Sequence, residues 1–295
     1  MNQTLLFLIL FLLEGNLTHH HLSVKKDTEN SLLWKIEKEG QKSPSYLFGT
    51  MHLIEKEYFY FPKSLEKILK NCSLVITEID LKNLTSNSFN QNKFLLKDGT
   101  LWDFFSENQK KELFLWAKIH LKMKEEIFEK SFSAYKPFVL LQMITQVSFV
   151  GKTESYELRL SELVEQYKLN TLGFESIDEQ IDIFDQISIE EQVKMLMESV
   201  QQFDKQNEEL LRLQKNYKNQ RLDSLSHIMF NQNNFSSQNE QLFLSARNKK
   251  WMPIIEKHLN ENKCFIAVGA GHLLGSDGLL QLLKEKGYQL TPVSF

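Results

Sequence analysis

The stretch Phe265-Ile-Ala-Val-Gly-Ala-Gly-His-Leu-Leu274, FIAVGAGHLL, reads as a buried strand that runs into a glycine turn and ends on a histidine. A second stretch has the same design. Tyr46-Leu-Phe-Gly-Thr-Met-His-Leu53, YLFGTMHL, also leads from apolar residues into Gly-x-x-His. With 11 Gly and 8 His in 295 residues, about 0.3 such spacings are expected by chance. Two occur, Gly49–His52 and Gly269–His272, and each follows an apolar run directly. Loops at the carboxyl ends of strands are where open α/β sheets bind ligands. Glycine permits a sharp turn and close backbone approach, so Gly49, Gly269 and Gly271 read as residues that shape the backbone. Histidine is a common metal ligand and acid or base near neutral pH. The plainer reading is that each histidine caps its strand by hydrogen bonding. Two such motifs in one chain favour function.

The flanks extend this picture. After Cys264–Val268, Ser276 to Lys286 reads as a helix, with Gly275 before it and Gly287 as its cap, and Tyr288 to Val293 as a closing strand. That order predicts parallel pairing through a right-handed crossover. Near the other end, Leu32 to Glu37 alternates, meets a Gly/Pro turn and resumes at Tyr46, which reads as a hairpin. Phe61 to Leu69 is helical, with Pro62 at its start. Leu74-Val-Ile-Thr-Glu-Ile79 is short, β-branched and mostly apolar, a buried strand. From about residue 100 to 260 the pattern is helical, interrupted by strand-like Leu169 to Gly173. Glu190 to Gln220 reads as one or two long helices and Asn231 to Asn239 as a polar loop. The expected fold class is therefore α/β (α+β). A mixed sheet is built from both termini, with a large helical insertion, in a single domain over residues 23–295.

Composition narrows the function classes. Net charge is −3, with Lys and Glu interspersed, so no basic footprint for nucleic acid is present. Only 11 Gly and 5 Pro favour long helices, and 22 Phe predict an aromatic core. Leu5 to Leu13 is one apolar run, the length of a signal-peptide core and too short to span a membrane. Residues 1–22 are read as a signal peptide or N-terminal anchor, which predicts an extracytoplasmic protein whose membrane association, if any, runs through that segment. No basic residue precedes the run and no small-x-small site follows, so an N-terminal strand or core helix is the alternative. Cys72 and Cys264 either pair in an exported protein or stay as buried free thiols. His19-His20-His21 reads as a solvated segment.

Glu78, inside the apolar strand, is the third residue of interest. A buried carboxylate is costly unless paired, hydrogen-bonded or metal-bound. Two imidazoles and one carboxylate with an open position suit a catalytic divalent metal such as Mn, Co, Zn or Fe. A salt bridge to Lys or Arg is the structural alternative. No Gly-x-Ser-x-Gly, His-Glu-x-x-His or P-loop is present. Val268-Gly-Ala-Gly-His272 lacks the third glycine and the downstream strand of a dinucleotide site.

Taken together, YLFGTMHL, VITEID, GFESIDEQIDIF, the Arg247-Asn248 pair and FIAVGAGHLLGSDGLLQLLKEKGY resemble the TraB/GumN family. That family includes the pheromone-shutdown proteins and is similar to the TIKI metalloproteases, which cleave Wnt amino termini. The resemblance covers about residues 31 to 295. It implies that His52, His272 and Glu78 are the metal and catalytic residues, on an erythromycin-esterase/ChaN-like shell with a helical elaboration. It also matches Glu175 to a conserved glutamate, either general base or helix cap. Arg247 and Asn248 match an Arg-Asn pair that either binds substrate or holds a buried ion pair. Where the family often has Gly-Asp, this chain has Ser155-Tyr-Glu157, a departure that leaves the role of Glu157 open. The function implied is a metal-dependent hydrolase, a peptidase or amidase acting on a peptide or protein. The alternative is a regulatory protein that captures a peptide or haem-like ligand without turnover.

Overall fold

The computed structural model describes residues 30–41, 43–83, 90–231 and 240–295. The apolar N-terminal run, the His19–His21 segment and most of the polar loop from Asn231 lie outside them. Two strands open the described chain, β1 (Leu33–Glu37) and β2 (Ser45–Thr50), which form the expected antiparallel hairpin. Short β3 (Ile54–Glu55) and helix α1 (Lys63–Lys70) lead to β4 (Leu74–Ile79). Helices α2 (Glu107–His120), α3 (Glu125–Phe132) and α4 (Pro137–Val147) follow, then β5 (Thr153–Glu154), α5 (Tyr156–Tyr167) and β6 (Asn170–Glu175). Next come α6 (Ile177–Phe184), α7 (Ile189–Gln201), α8 (Phe203–Lys218) and α9 (Leu222–Asn231). The last elements are α10 (Ala246–Glu261), β7 (Cys264–Gly269), α11 (Leu279–Glu285) and β8 (Gln289–Val293).

Six strands form one mixed sheet in the order β6-β4-β7-β2-β1-β8. The first four are mutually parallel. β7, all six of its residues buried, lies between β4 and β2, which explains its uninterrupted apolar sequence. β8 departs from the expected crossover pairing. It joins β1 antiparallel at the sheet edge instead of lying beside β7. Pro292 suits this place, because a residue without an N–H is tolerated on an edge strand. The strand-like interruption expected at Leu169 to Gly173 is β6, which returns from the helical insertion to the opposite edge. There Gly173 lets the neighbouring chain pass, because a Cβ would sit 2.3 Å from the Asp80 nitrogen.

The C-terminal helix is shorter than the sequence suggests and begins at Leu279. Gly275 adopts φ +82° and Gly278 lies so close to the Leu274 carbonyl that no Cβ fits. Both keep Ser276–Gly278 in turns. Gly287 at φ +81° ends the helix as expected.

Two apolar cores result. One joins the sheet to α1, α5, α10 and α11 around Phe48, Tyr156, Trp251 and Phe265. The other fills the helices α2–α4, α6 and α7 with Phe and Trp rings, as the phenylalanine count implied. Ile79, the last residue of β4, packs against both. The site described next therefore lies at their junction. Cys72 and Cys264 are free, buried thiols, and burial pushes both up to about 12. Among the described residues no helix is long and apolar enough to cross a membrane.

Candidate functional site

All four parallel strands end on the same rim, and each delivers one polar residue to it. β2 leads to His52, β7 to His272, β4 carries Glu78 and β6 ends on Glu175. This is the carboxyl-end rule for open α/β sheets, applied to strands drawn from both ends of the chain. All four side chains are buried. α10 crosses the rim and adds Arg247 and Asn248, also buried.

Arg247 is the hub. Its Nη2 donates to Glu78 Oε2 at 2.7 Å, and Nε and Nη2 both donate to Glu175 Oε2, at 3.0 and 2.8 Å. Its remaining Nη1 donates to the Phe243 carbonyl at 3.1 Å. That carbonyl belongs to a π-helical turn, Gln241–Ser245, which directly precedes α10. Such turns disturb the regular helical hydrogen bonding and recur at functional sites. Trp251, one turn along α10, donates its Nε1 to Glu175 Oε1 at 3.1 Å, and the guanidinium lies over its ring. Glu175 is thus held on both oxygens. Its helix-capping alternative does not occur, because Ser176 and Glu179 form the capping box of α6.

Glu78 is held as firmly on one side and is turned toward the histidines on the other. Oε2 takes Arg247 and, more weakly, Gln180 at 3.4 Å. Oε1 accepts the Gly269 backbone N–H at 2.8 Å, and it lies 3.6 Å from His52 Nε2 and 3.7 Å from His272 Nε2. At Gly269 the space is tight, and its φ is not left-handed. A Cβ would come within 3.2 Å of His52 Nε2 and 3.3 Å of Glu78 Oε1. Gly49 is also a packing glycine, since a Cβ would press on Ala270 at 3.1 Å. None of Gly49, Gly269 and Gly271 has positive φ, so at Gly49 and Gly269 the close approach is the part of the expected role that the structure displays.

The two histidines are anchored alike through Nδ1 and differ in what anchors them. The Asn248 amide donates to the carbonyls of His272 and Asp277, at 3.1 and 2.9 Å, so its Oδ1 is the acceptor facing His272 Nδ1 at 2.7 Å. His272 therefore carries its proton on Nδ1, and its Nε2 accepts from Arg247 Nη1 at 3.1 Å. Burial, with Arg247 and His52 nearby, drives its pKa down to about 3 against the pull of Glu78. His52 Nδ1 instead donates to Glu157 Oε1 at 2.8 Å. Burial opposes its charge, but Glu157, through charge and hydrogen bond, and Glu78 raise it to about 9. Burial likewise works against the Glu78 carboxylate, and Arg247, His272, His52 and the Gly269 N–H override it, holding Glu78 at about 2.

Sequence reasoning placed six residues here, and all six meet: His52, Glu78, Glu175, Arg247, Asn248 and His272. It missed Glu157, Gln180 and Trp251. An acid in the first turn of α5 behind a serine N-cap was the available sign for Glu157, but nothing local linked it to His52.

Among the described residues no group of three or more His, Cys, Asp and Glu side chains is drawn together tightly enough to cage an ion as it stands. The donors nevertheless fit one. Both imidazoles have Nδ1 fixed and Nε2 turned toward a single carboxylate oxygen, the arrangement that orients metal-binding histidines. The hollow that a Cβ at Gly269 would fill lies among these atoms. The charges also fit. With His52 neutral, the charges here are Arg247 against buried Glu78 and Glu175 and partly buried Glu157, an excess of two negative charges that one divalent ion would balance. Arg247 competes with an ion for the His272 Nε2 lone pair.

No curated protein and no solved structure matches the chain at a meaningful level of similarity. The model of the TraB/PrgY/gumN family matches residues 32–292, which include every residue of this rim, and the chain belongs to that family.

Proposed function

We propose that this protein is a metal-dependent hydrolase of peptide or amide bonds. The observation that carries the reading is the pair of Nδ1-anchored imidazoles turned toward Glu78 Oε1 across Gly269. His52, His272 and Glu78 would hold the ion, and when bound it would supply a Lewis acid that polarises a carbonyl and acidifies water. Arg247 keeps Glu78 ionised, so the carboxylate is ready to act as a ligand at neutral pH. His52 must give up its proton for Nε2 to bind, so uptake of an ion releases a proton. Glu175, held on both oxygens by Arg247 and Trp251, supports the guanidinium and is not free to act as a base. The amide substrate class follows from the resemblance to the TIKI metalloproteases. Export through Leu5–Leu13 is part of the proposal, tested by cell fractionation and sequencing of the mature N-terminus.

Metal content by mass spectrometry, together with peptide hydrolysis supplied with Zn²⁺, Mn²⁺ or Co²⁺, tests the reading. His52→Ala and His272→Ala should each lose bound metal and turnover. Unchanged metal and turnover in both would defeat it. One observation favours capture of a peptide without turnover: a carboxylate held at about 2 is a weak general base. Stoichiometric peptide binding, with no cleavage under any of the three metals, would select that alternative.

A further inference from the structure

We infer that Glu157 is a positioning residue, which fixes the tautomer and ring orientation of His52 so that its Nε2 faces the site. This rests on the proposed function only for what the site then binds. The first support is the carboxylate's surroundings. Glu157 Oε1 accepts from Thr50 Oγ1 and His52 Nδ1, both at 2.8 Å, and Oε2 accepts from Ser155 Oγ at 3.1 Å. Among the described residues no lysine or arginine pairs with it. Its ionic partner is the site histidine, and both hydroxyls that flank it hold it in place for that partner.

The second support is backbone architecture. β3 begins two residues after His52, and β5 ends three residues before Glu157. The two pair as an isolated antiparallel ribbon, Ile54 with Glu154 and Glu55 with Thr153. A further bond, from the Lys56 nitrogen to the Lys152 carbonyl at 2.7 Å, extends it. This clip joins the chain leaving the first Gly-x-x-His to the chain entering α5, and so delivers Glu157 to His52 across a sequence separation of 105. Ser155 caps α5 by accepting the Leu158 N–H, which sets Glu157 in the first helical turn, where a negative charge is favoured. A carboxylate on the far nitrogen of a ligating imidazole is the usual device for orienting it, and its loss costs metal affinity about 10–100-fold.

The test uses the full chain labelled with ¹⁵N-histidine, and Co²⁺ alone as probe. In Glu157→Gln, the His52 ring ¹⁵N signals should move while those of His272 stay. Co²⁺ affinity, read from its visible spectrum, should fall by about 10–100-fold. Glu157→Asp should restore part of both. Unmoved His52 signals in Glu157→Gln would overturn the inference, even if stability falls. Should that variant not fold, Thr50→Val loosens the same carboxylate without removing it, and the same pair of outcomes decides. If the wild type binds no Co²⁺, the metal reading fails, and the ¹⁵N signals still decide the role of Glu157.

Discussion

The two Gly-x-x-His elements are near copies in sequence and opposites in electrostatics. Each follows a parallel strand, each histidine is buried, and each aims Nε2 at the same oxygen of Glu78. His52 leans on a carboxylate and is held charged, up to about 9. His272 leans on an amide, faces a guanidinium and is held neutral, down to about 3. The motif therefore sets position, and the residue behind Nδ1 sets charge. A site with one charged and one neutral imidazole has a proton donor and a lone pair at the same carboxylate.

The sharpest way to break this asymmetry is Arg247→Ala. It leaves Glu78 and Glu175 buried without their shared cation, and is expected to cost about 3–5 kcal/mol in urea unfolding. A loss below about 1 kcal/mol would show that the carboxylates find other partners. Gly269→Ala attacks the space between the histidines instead. A methyl there is expected to cost about 1–3 kcal/mol in stability and, by displacing His52 Nε2 and Glu78, about 100-fold in turnover. Full activity in this variant would remove the hollow from the argument.

The pH dependence of unfolding separates the two rings. His52 is raised above its ordinary 6.5, so its contribution is complete below 6.5 and is lost as pH rises toward about 9. His272 is lowered, so stability falls as pH drops from 6.5 toward about 3, where only the unfolded chain takes the proton. Each limb has a slope of up to about 1.4 kcal/mol per pH unit. His52→Asn should flatten the alkaline limb alone and His272→Asn the acid limb alone, with denaturant midpoints as readout. The mildest test is Asn248→Asp, which gives His272 the kind of partner that His52 has. Its ring should then titrate above about 3 by NMR, and stability should drop about 1–3 kcal/mol as two carbonyls lose their donor. A His272 ring that stays at about 3 would put Arg247 and burial, not the amide, in control.

Much of the fold was legible because strands such as Leu74–Ile79 and Cys264–Gly269 are continuous apolar runs, and the parallel rim follows from ending such runs on polar residues. Neighbours in the sheet were less legible. β8 lies at the edge, a place that suits Pro292, but the free side of β1 that it joins is not written in the terminal segment. Among site residues, Glu78 announced itself as a charge in an apolar strand, and the histidines by their repeated spacing. Glu157 did not. Its partner lies far away in sequence, and the ribbon that joins them is two residues long on each side, too short to show a period.

The π turn at Gln241–Ser245 has one more consequence. A π turn is an α-helix carrying one residue too many, so the helical path into α10 is counted rather than approximate. Each helical residue advances the face by about 100°. A chain one residue shorter here would reach the rim as a regular helix, with the residues ahead of Arg247 rotated by that angle and a different carbonyl behind the guanidinium. In this chain the surplus residue works as a phase setting, matching the helix that enters the rim to the carboxylates waiting on β4 and β6.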